Sequence, residues 1–468
     1  MKDRQIFILN TLNVLQIIIL YYIVGTKSLF LYTLSLSLYN IFISCFNHIS
    51  IKDTLKKLRT NYTKTKLFKL LTLVICVISL VFLLLSILSS DIISLLLKIN
   101  NILPVFIMEG IAIFTRPFIS VLSEYLENTT NKHINIITIY NVLDKILLLL
   151  ISLFVFRIFK LNNIISISLL YLSKILATLI IVIYLYTTKK INFKVNDVNK
   201  DNLDYKKEIK YILANNSHLS IIKIVKYSYY YISVIILYLA LSTRYNYKIG
   251  DIENIITFTY FYGLVLINYI MYIVKEATRE KNEIDKLYNS FKVILTFSII
   301  LSIISPLICK VIFNDPSKSI YFTMIIFLAI FILLCDITYD EIKNKIITYI
   351  SLSVGLLFKI ILVIPLINSF YRMGYDLLYG DITSTIIGMF LSTIINYIYM
   401  RNKSKNKEKY FPKILDILYE NIILAIILIL VEFIIPIDTA NYFKSLGLIF
   451  IYLTISITYI NLKNKKWG

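Results

Sequence analysis

The sequence predicts an all-α polytopic membrane protein of about 14 transmembrane helices, arranged as two six-helix lobes and a terminal helix pair. Three observations carry that expectation. Of the 468 residues, 58% are hydrophobic and 16% charged, with a mean hydropathy of +0.76. Soluble globular chains run at about 45–50% apolar and about 25% charged. Apolar runs of the length a bilayer requires, about 20 residues, recur from one end of the chain to the other. Finally, the formal charge of +21 is concentrated in alternate loops, the pattern that orients a chain in a membrane. Topology therefore accounts for the basic excess, and no nucleic-acid partner is expected.

The runs fall near 5–25, 28–48, 67–90, 100–122, 133–157, 163–187, 218–243, 252–275, 288–312, 319–338, 345–368, 380–400, 413–436 and 441–461. The first lacks a small-residue cleavage site and a second follows within a few residues, so it reads as a permanent helix and not a secretion signal. With the N-terminus inside, the inner segments hold 31 of the 49 Lys and Arg residues, the outer loops 10, and the spans the remaining 8. The bias places both termini in the cytoplasm. The sequons at Asn61, Asn128, Asn215 and Asn402 all fall on loops that this topology makes cytoplasmic. The longest hydrophilic stretch, 188–217, reads as a linker between a lobe at 1–187 and one at 218–400, and the basic loop opening 401–468 sets off the terminal pair. Repeated halves around a central site are a common plan for transporters.

Soluble-enzyme chemistry has no foothold. Cys45, Cys76, Cys309 and Cys335 stand apart in apolar runs, and His48, His133 and His218 are isolated. They form no metal-ligand spacing and no triad, so neither a metal nor a cofactor is expected. There is also no GxxxxGK[ST] loop to bind ATP.

Several stretches resemble the superfamily of multidrug, oligosaccharidyl-lipid and polysaccharide exporters. YYIVGTKSLFLYTLSLSLYNIFISCFNHISIKDTLKKL (21–58) is similar to its first hairpin, and FYGLVLINYIMYIVKEATREKNEIDKLYNSF (261–291) to its eighth span and charged exit. LLFKIILVIPLINSFYRMGYDLLYGDITSTIIGMF (356–390) resembles its eleventh and twelfth spans. Within the superfamily, EGIAIFTRPFISVLSEYLENTT (109–130) resembles the fourth span of the Rft family, which is associated with dolichol-linked oligosaccharide in the endoplasmic reticulum. Pro117 and Phe118 match that pattern, whereas Arg116 stands where the family carries a glutamate. Bacterial lipid II and capsule flippases share the hairpin and eleventh-span patterns almost as well.

Charges inside spans cost at least about 2.5–3.5 kcal/mol each on insertion scales, so each must pair, line water or reach the interface. Lys145 and Lys174 lie near the midpoints of spans five and six, with Asp144 beside Lys145. They read either as a basic patch for a diphosphate in a central cavity or as a Lys-Asp bridge within the first lobe. Lys223 and Lys226, three apart at the start of span seven, share a helix face. They suit a pyrophosphate entering from the cytoplasm, or simple snorkelling to the headgroups. Arg116 is either a substrate ligand or the partner of Glu109, two turns earlier on the same face. Lys359, mid-span, resembles a lysine recurring in these flippases, with Asp336 or Glu432 as neutralising candidates. The tyrosines at 227 and 229–231 offer rings for sugar stacking or ordinary packing.

The resemblance implies a flippase that moves a polyprenyl- or dolichyl-pyrophosphate-linked oligosaccharide to the luminal or outer leaflet by alternating access. Its headgroup ligands would be drawn from Lys223, Lys226, Arg116, Lys145, Lys174 and Lys359. It would act as a monomer with membrane lipids around it, in the endoplasmic reticulum of a eukaryote or the plasma membrane of a prokaryote. A cation-coupled drug exporter of the same superfamily is the main rival, with Glu109 and Asp144 as the coupling carboxylates. A bacterial-type polysaccharide or lipid II flippase and a non-transporting accessory protein are the others.

Overall fold

The computed structural model describes residues 2–26, 29–47, 64–129, 136–188, 223–278, 283–342, 345–403 and 410–466. Regular structure among them is entirely helical. In chain order the apolar helices are α1 (Lys2–Val24), α2 (Phe30–Asn47), α3 (Lys64–Leu97), α4 (Leu103–Thr129), α5 (Ile136–Ile158), α6 (Asn163–Thr187) and α7 (Lys223–Arg244). Then come α8 (Ile249–Glu276), α9 (Glu283–Ile303), α10 (Ser319–Glu341), α11 (Lys345–Arg372), α12 (Leu378–Lys403), α13 (Tyr410–Ile434) and α14 (Tyr442–Lys466). A short helix, Ser305–Phe313, continues α9 after a break at Ile304. Twelve of the helices are long and apolar enough to cross a membrane within the described residues, and α1 and α2 add two shorter apolar stretches, Leu9–Val24 and Phe30–Phe46. The chain is thus a polytopic helical membrane protein. Of the expected linker and sequons, all of 189–217, Asn61 and Asn215 lie outside the described residues.

The chain divides into two compact units, Met1–Thr257 and Phe258–Gly468. The first includes α7 and the start of α8, whereas the hydrophilic stretch 188–217 predicts an earlier boundary. Within this unit α4 packs against α2, α3, α5 and α6, and α1 lies along α5. A core of Ile119, Leu122, Ile136, Tyr140, Ala177, Ile181 and Leu185 joins α4, α5 and α6. Over its first seventeen residues, Ile136–Ser152, the buried positions of α5 are Ile136, Tyr140, Asp144, Leu148 and Ser152. That spacing of four keeps them on one stripe of a 3.6-residue helix, and Asp144 is therefore carried inward while its neighbour Lys145 points about 100° away.

In the second unit α11 and α12 form the most extensive pairing, and α10 packs against α9 and α12. Gly380 is needed at that crossing, because a β-carbon there would stand 2.4 Å from the backbone nitrogen of Ile367. Gly374, with φ +78°, ends α11 and donates its N–H to the Tyr371 carbonyl at 3.0 Å, a left-handed stop that glycine adopts without steric cost. The terminal pair α13 and α14 shares a core with α9 through Ile300, Leu424, Leu428, Leu448 and Tyr452. At the start of the unit, α8 runs as a π-helix over Phe258–Gly263, all six residues buried. Such turns are rare and mark places where a helix is re-aimed.

Candidate functional site

Most of the expected charged side chains belong to the first unit, where α4, α5, α6 and α7 carry them. Asp144 accepts from the Ser173 hydroxyl at 2.7 Å and from the Lys174 ammonium at 2.9 Å. Lys174 also faces the Tyr39 ring of α2, with its nitrogen 5.3 Å from the ring centre. Asp144 and Lys174 are both buried, and their direct bond compensates the desolvation that either charge would suffer alone. Lys145 turns the other way and donates to Gln16 of α1 at 2.9 Å. The two neighbours on α5 thus bind different helices, α6 and α1, as a separation of about 100° allows.

Arg116 sits before Pro117, where the helix lacks one backbone donor. Its guanidinium lies 4.3 Å from the centre of the Tyr140 ring, one helical turn before Asp144. The expected pairing with Glu109 does not form. Both Glu109 carboxylate oxygens are buried without a hydrogen-bond partner, as is Arg116 Nη1. Seven residues rise about 10.5 Å along a helix, well beyond the i,i+4 spacing at which side chains meet readily. A cation–π contact with Tyr140 is available to Arg116 at shorter reach.

Lys223 and Lys226 open α7 and are half-buried on one face. Of the tyrosines that follow, Tyr229 and Tyr230 are buried while Tyr227 and Tyr231 are partly accessible. The first two serve packing, and ring stacking with a sugar is open only to the others.

Lys359 belongs to the second unit. Its ammonium lies 3.4 Å from Asp381 Oδ1 and also donates to Thr385, and both members of the ion pair are 0% exposed. Tyr260, on the π-helical turn of α8, donates to the other oxygen of Asp381. The neutralising carboxylate is therefore Asp381, correcting the expectation of Asp336 or Glu432: Asp336 binds Lys275 at 3.1 Å, and Glu432 is exposed. Asp381 sits in the first turn of α12, inside the apolar run expected at 380–400. Ser173, Gln16, Tyr140 and Thr385 carry no local signal; each is found only once helix packing supplies its partner. Among the described residues no cluster of three or more His, Cys, Asp or Glu side chains is placed to hold a metal.

No protein-family model and no curated protein matches the sequence. Solved structures do. The fold is similar to that of the lipid II flippase MurJ in an inward closed conformation, at 15% identity and a TM-score of 0.70, over 99% of this chain and 98% of that one. It is also similar to an inward-facing multidrug resistance MATE family transporter of the MOP superfamily, at 12% identity and a TM-score of 0.58, over 84% and 94%. The MATE multidrug transporter DinF-BH matches at 15% identity and a TM-score of 0.51, over 85% and 93%. At these identities the likeness is one of fold.

Proposed function

We propose that the protein flips a polyprenyl- or dolichyl-pyrophosphate-linked oligosaccharide from the cytoplasmic to the luminal or outer leaflet, by alternating access of its two lobes. The observation that carries this reading is the concentration of basic side chains in one helical bundle: Arg116, Lys145 and Lys174 all lie within the apolar helices of the first unit, with Lys223 and Lys226 at the start of α7. A pyrophosphate headgroup cannot cross hydrocarbon unaided, and cationic side chains at membrane depth mark a substrate route by default. Lys223 and Lys226, which open α7, are the first contacts. The whole-length likeness to a lipid II flippase fits a lipid-linked sugar substrate, and the stretch around Pro117 and Phe118 favours the Rft-like branch. With both termini in the cytoplasm, the headgroup enters at the end of the bundle where α7 begins.

Binding of a labelled polyprenyl pyrophosphate to the purified protein tests the headgroup assignment. We expect replacement of both Lys223 and Lys226 by Ala to lower binding by about ten-fold or more, on the scale of losing one to two charge-assisted hydrogen bonds. Equal binding by the double variant contradicts it.

A second reading has one observation in its favour. Glu109 is a buried carboxyl without a hydrogen-bond partner, as a cation-coupled exporter requires of its coupling site. Asp144, the other carboxylate considered, already holds Lys174 and Ser173 and is the weaker candidate.

A further inference from the structure

The second unit contains a cavity of about 270 Å³ where α9, α13 and α14 meet. Its polar lining includes Lys292 and Glu420, whose charged atoms are 3.2 Å apart, and Thr296, which donates to the Asn421 side chain at 2.9 Å. Tyr459 closes one side, with its hydroxyl bonded to the Glu420 carbonyl at 3.3 Å. The rim is open: Phe297 is 41% exposed and the Lys292 side chain 42%. The exposed Phe297 ring puts an apolar side chain at the mouth, on the outside of the helix bundle.

Depth and size narrow the occupant. Lys292 and Glu420 are the last charged residues before the uncharged, largely apolar runs 293–309 and 421–431, toward the starts of α9 and α13, and Tyr459 stands near the end of α14, before Lys463. The three ends are on the same side of the bundle. That is the level at which the headgroup and glycerol of a phospholipid meet its acyl chains. The volume lies below the 300–1,000 Å³ of pockets for drug-sized ligands, which suits one headgroup and not an oligosaccharide.

We propose that this cavity binds the headgroup of an ethanolamine phospholipid from the adjoining leaflet, with Lys292 on the phosphate and Glu420 on the ammonium. The exchange is charge-neutral. The protein's own ion pair opens and each member gains an oppositely charged partner, so no isolated charge is left at membrane depth. An anionic phosphoglycerol headgroup would meet the Glu420 carboxylate without a cation to answer it. A phosphocholine headgroup carries a cation without N–H donors, whereas an ammonium brings three. The site is independent of what the molecule transports.

Native mass spectrometry of the full-length protein in detergent, titrated with short-chain phosphatidylethanolamine, phosphatidylcholine or phosphatidylglycerol, reads this directly. Retention of the ethanolamine lipid about ten-fold above the other two is expected. Glu420→Gln should remove that preference, and Lys292→Gln should weaken phosphatidylethanolamine retention. Equal retention of all three lipids by the unmodified protein, or none of any, overturns the proposal without recourse to a variant. So does an unchanged preference in folded Glu420→Gln, whose size-exclusion profile and melting temperature report its fold.

Discussion

Lys359 and Asp381 are joined by a 3.4 Å contact that is sealed from the surface on both sides. Removing one partner of a buried pair leaves the other uncompensated, at a cost of about 3–5 kcal/mol, whereas replacing both by apolar groups is often neutral. Asp381→Ala is therefore expected to lower the melting temperature sharply, and Lys359→Met combined with Asp381→Leu to restore most of it. The same double variant tests Lys359 as a headgroup ligand. If it folds and still flips substrate, the lysine is structural.

Two glycines make opposite predictions. A β-carbon at Gly380 would stand 2.4 Å from the Ile367 backbone, while one at Gly447 would meet nothing within 4 Å. Gly380→Ala must push α11 and α12 apart and should destabilise by about 1–3 kcal/mol, the usual cost of overpacking. Gly447→Ala only adds helix propensity, worth about 0.5–1 kcal/mol, so it should be neutral or stabilising. Thermal unfolding of the two variants in the same detergent separates them.

Glu109 and Asp144 should respond differently to isosteric replacement. Asp144→Asn removes the counter-charge of buried Lys174 and is expected to cost stability first. Glu109→Gln breaks no hydrogen bond, since both carboxylate oxygens lack one, and its fold should hold. If Glu109 couples transport to protons, wild-type liposomes will answer an imposed pH gradient and Glu109→Gln liposomes will not. Identical responses rule Glu109 out as the coupling group.

The excess of basic residues in alternate loops predicts a topology that a fusion can check. Green fluorescent protein joined after Gly468 should fluoresce, as it does when it folds in the cytoplasm, and alkaline phosphatase at the same place should be inactive. The reverse result inverts the proposed direction of transport.

The helices are legible in the sequence and their partners are not. A run such as 67–90 holds one charge, Lys69, and is otherwise almost wholly apolar, so its character needs no tertiary information, and α3 forms there. The same uniformity hides which side of a helix faces inward. Asp144 and Lys174 are 30 residues apart, and only the stripe of α5 packed on α6 reveals that they meet. Arg116 and Glu109 share a face, which suggests a pair, but face alone ignores the axial rise, and Tyr140 on the neighbouring helix offers Arg116 a nearer partner. Asp381 gives no signal of its role because it opens a helix; the close crossing at Gly380 brings it to a lysine in the middle of the preceding helix. Lys292 and Glu420 belong to helices that the sequence sets far apart, so their cavity emerges only from the packing of α9 against α13.

The most direct test of the account is a leaflet-protection assay. Purified protein is reconstituted in liposomes with a labelled polyprenyl-pyrophosphate oligosaccharide, and the fraction of outer-leaflet substrate that becomes inaccessible to a membrane-impermeant probe is followed in time. The account predicts movement above that of empty liposomes, reduced about ten-fold or more when Lys223 and Lys226 are both replaced by Ala. Folded protein that moves no substrate beyond the empty-liposome rate would contradict it.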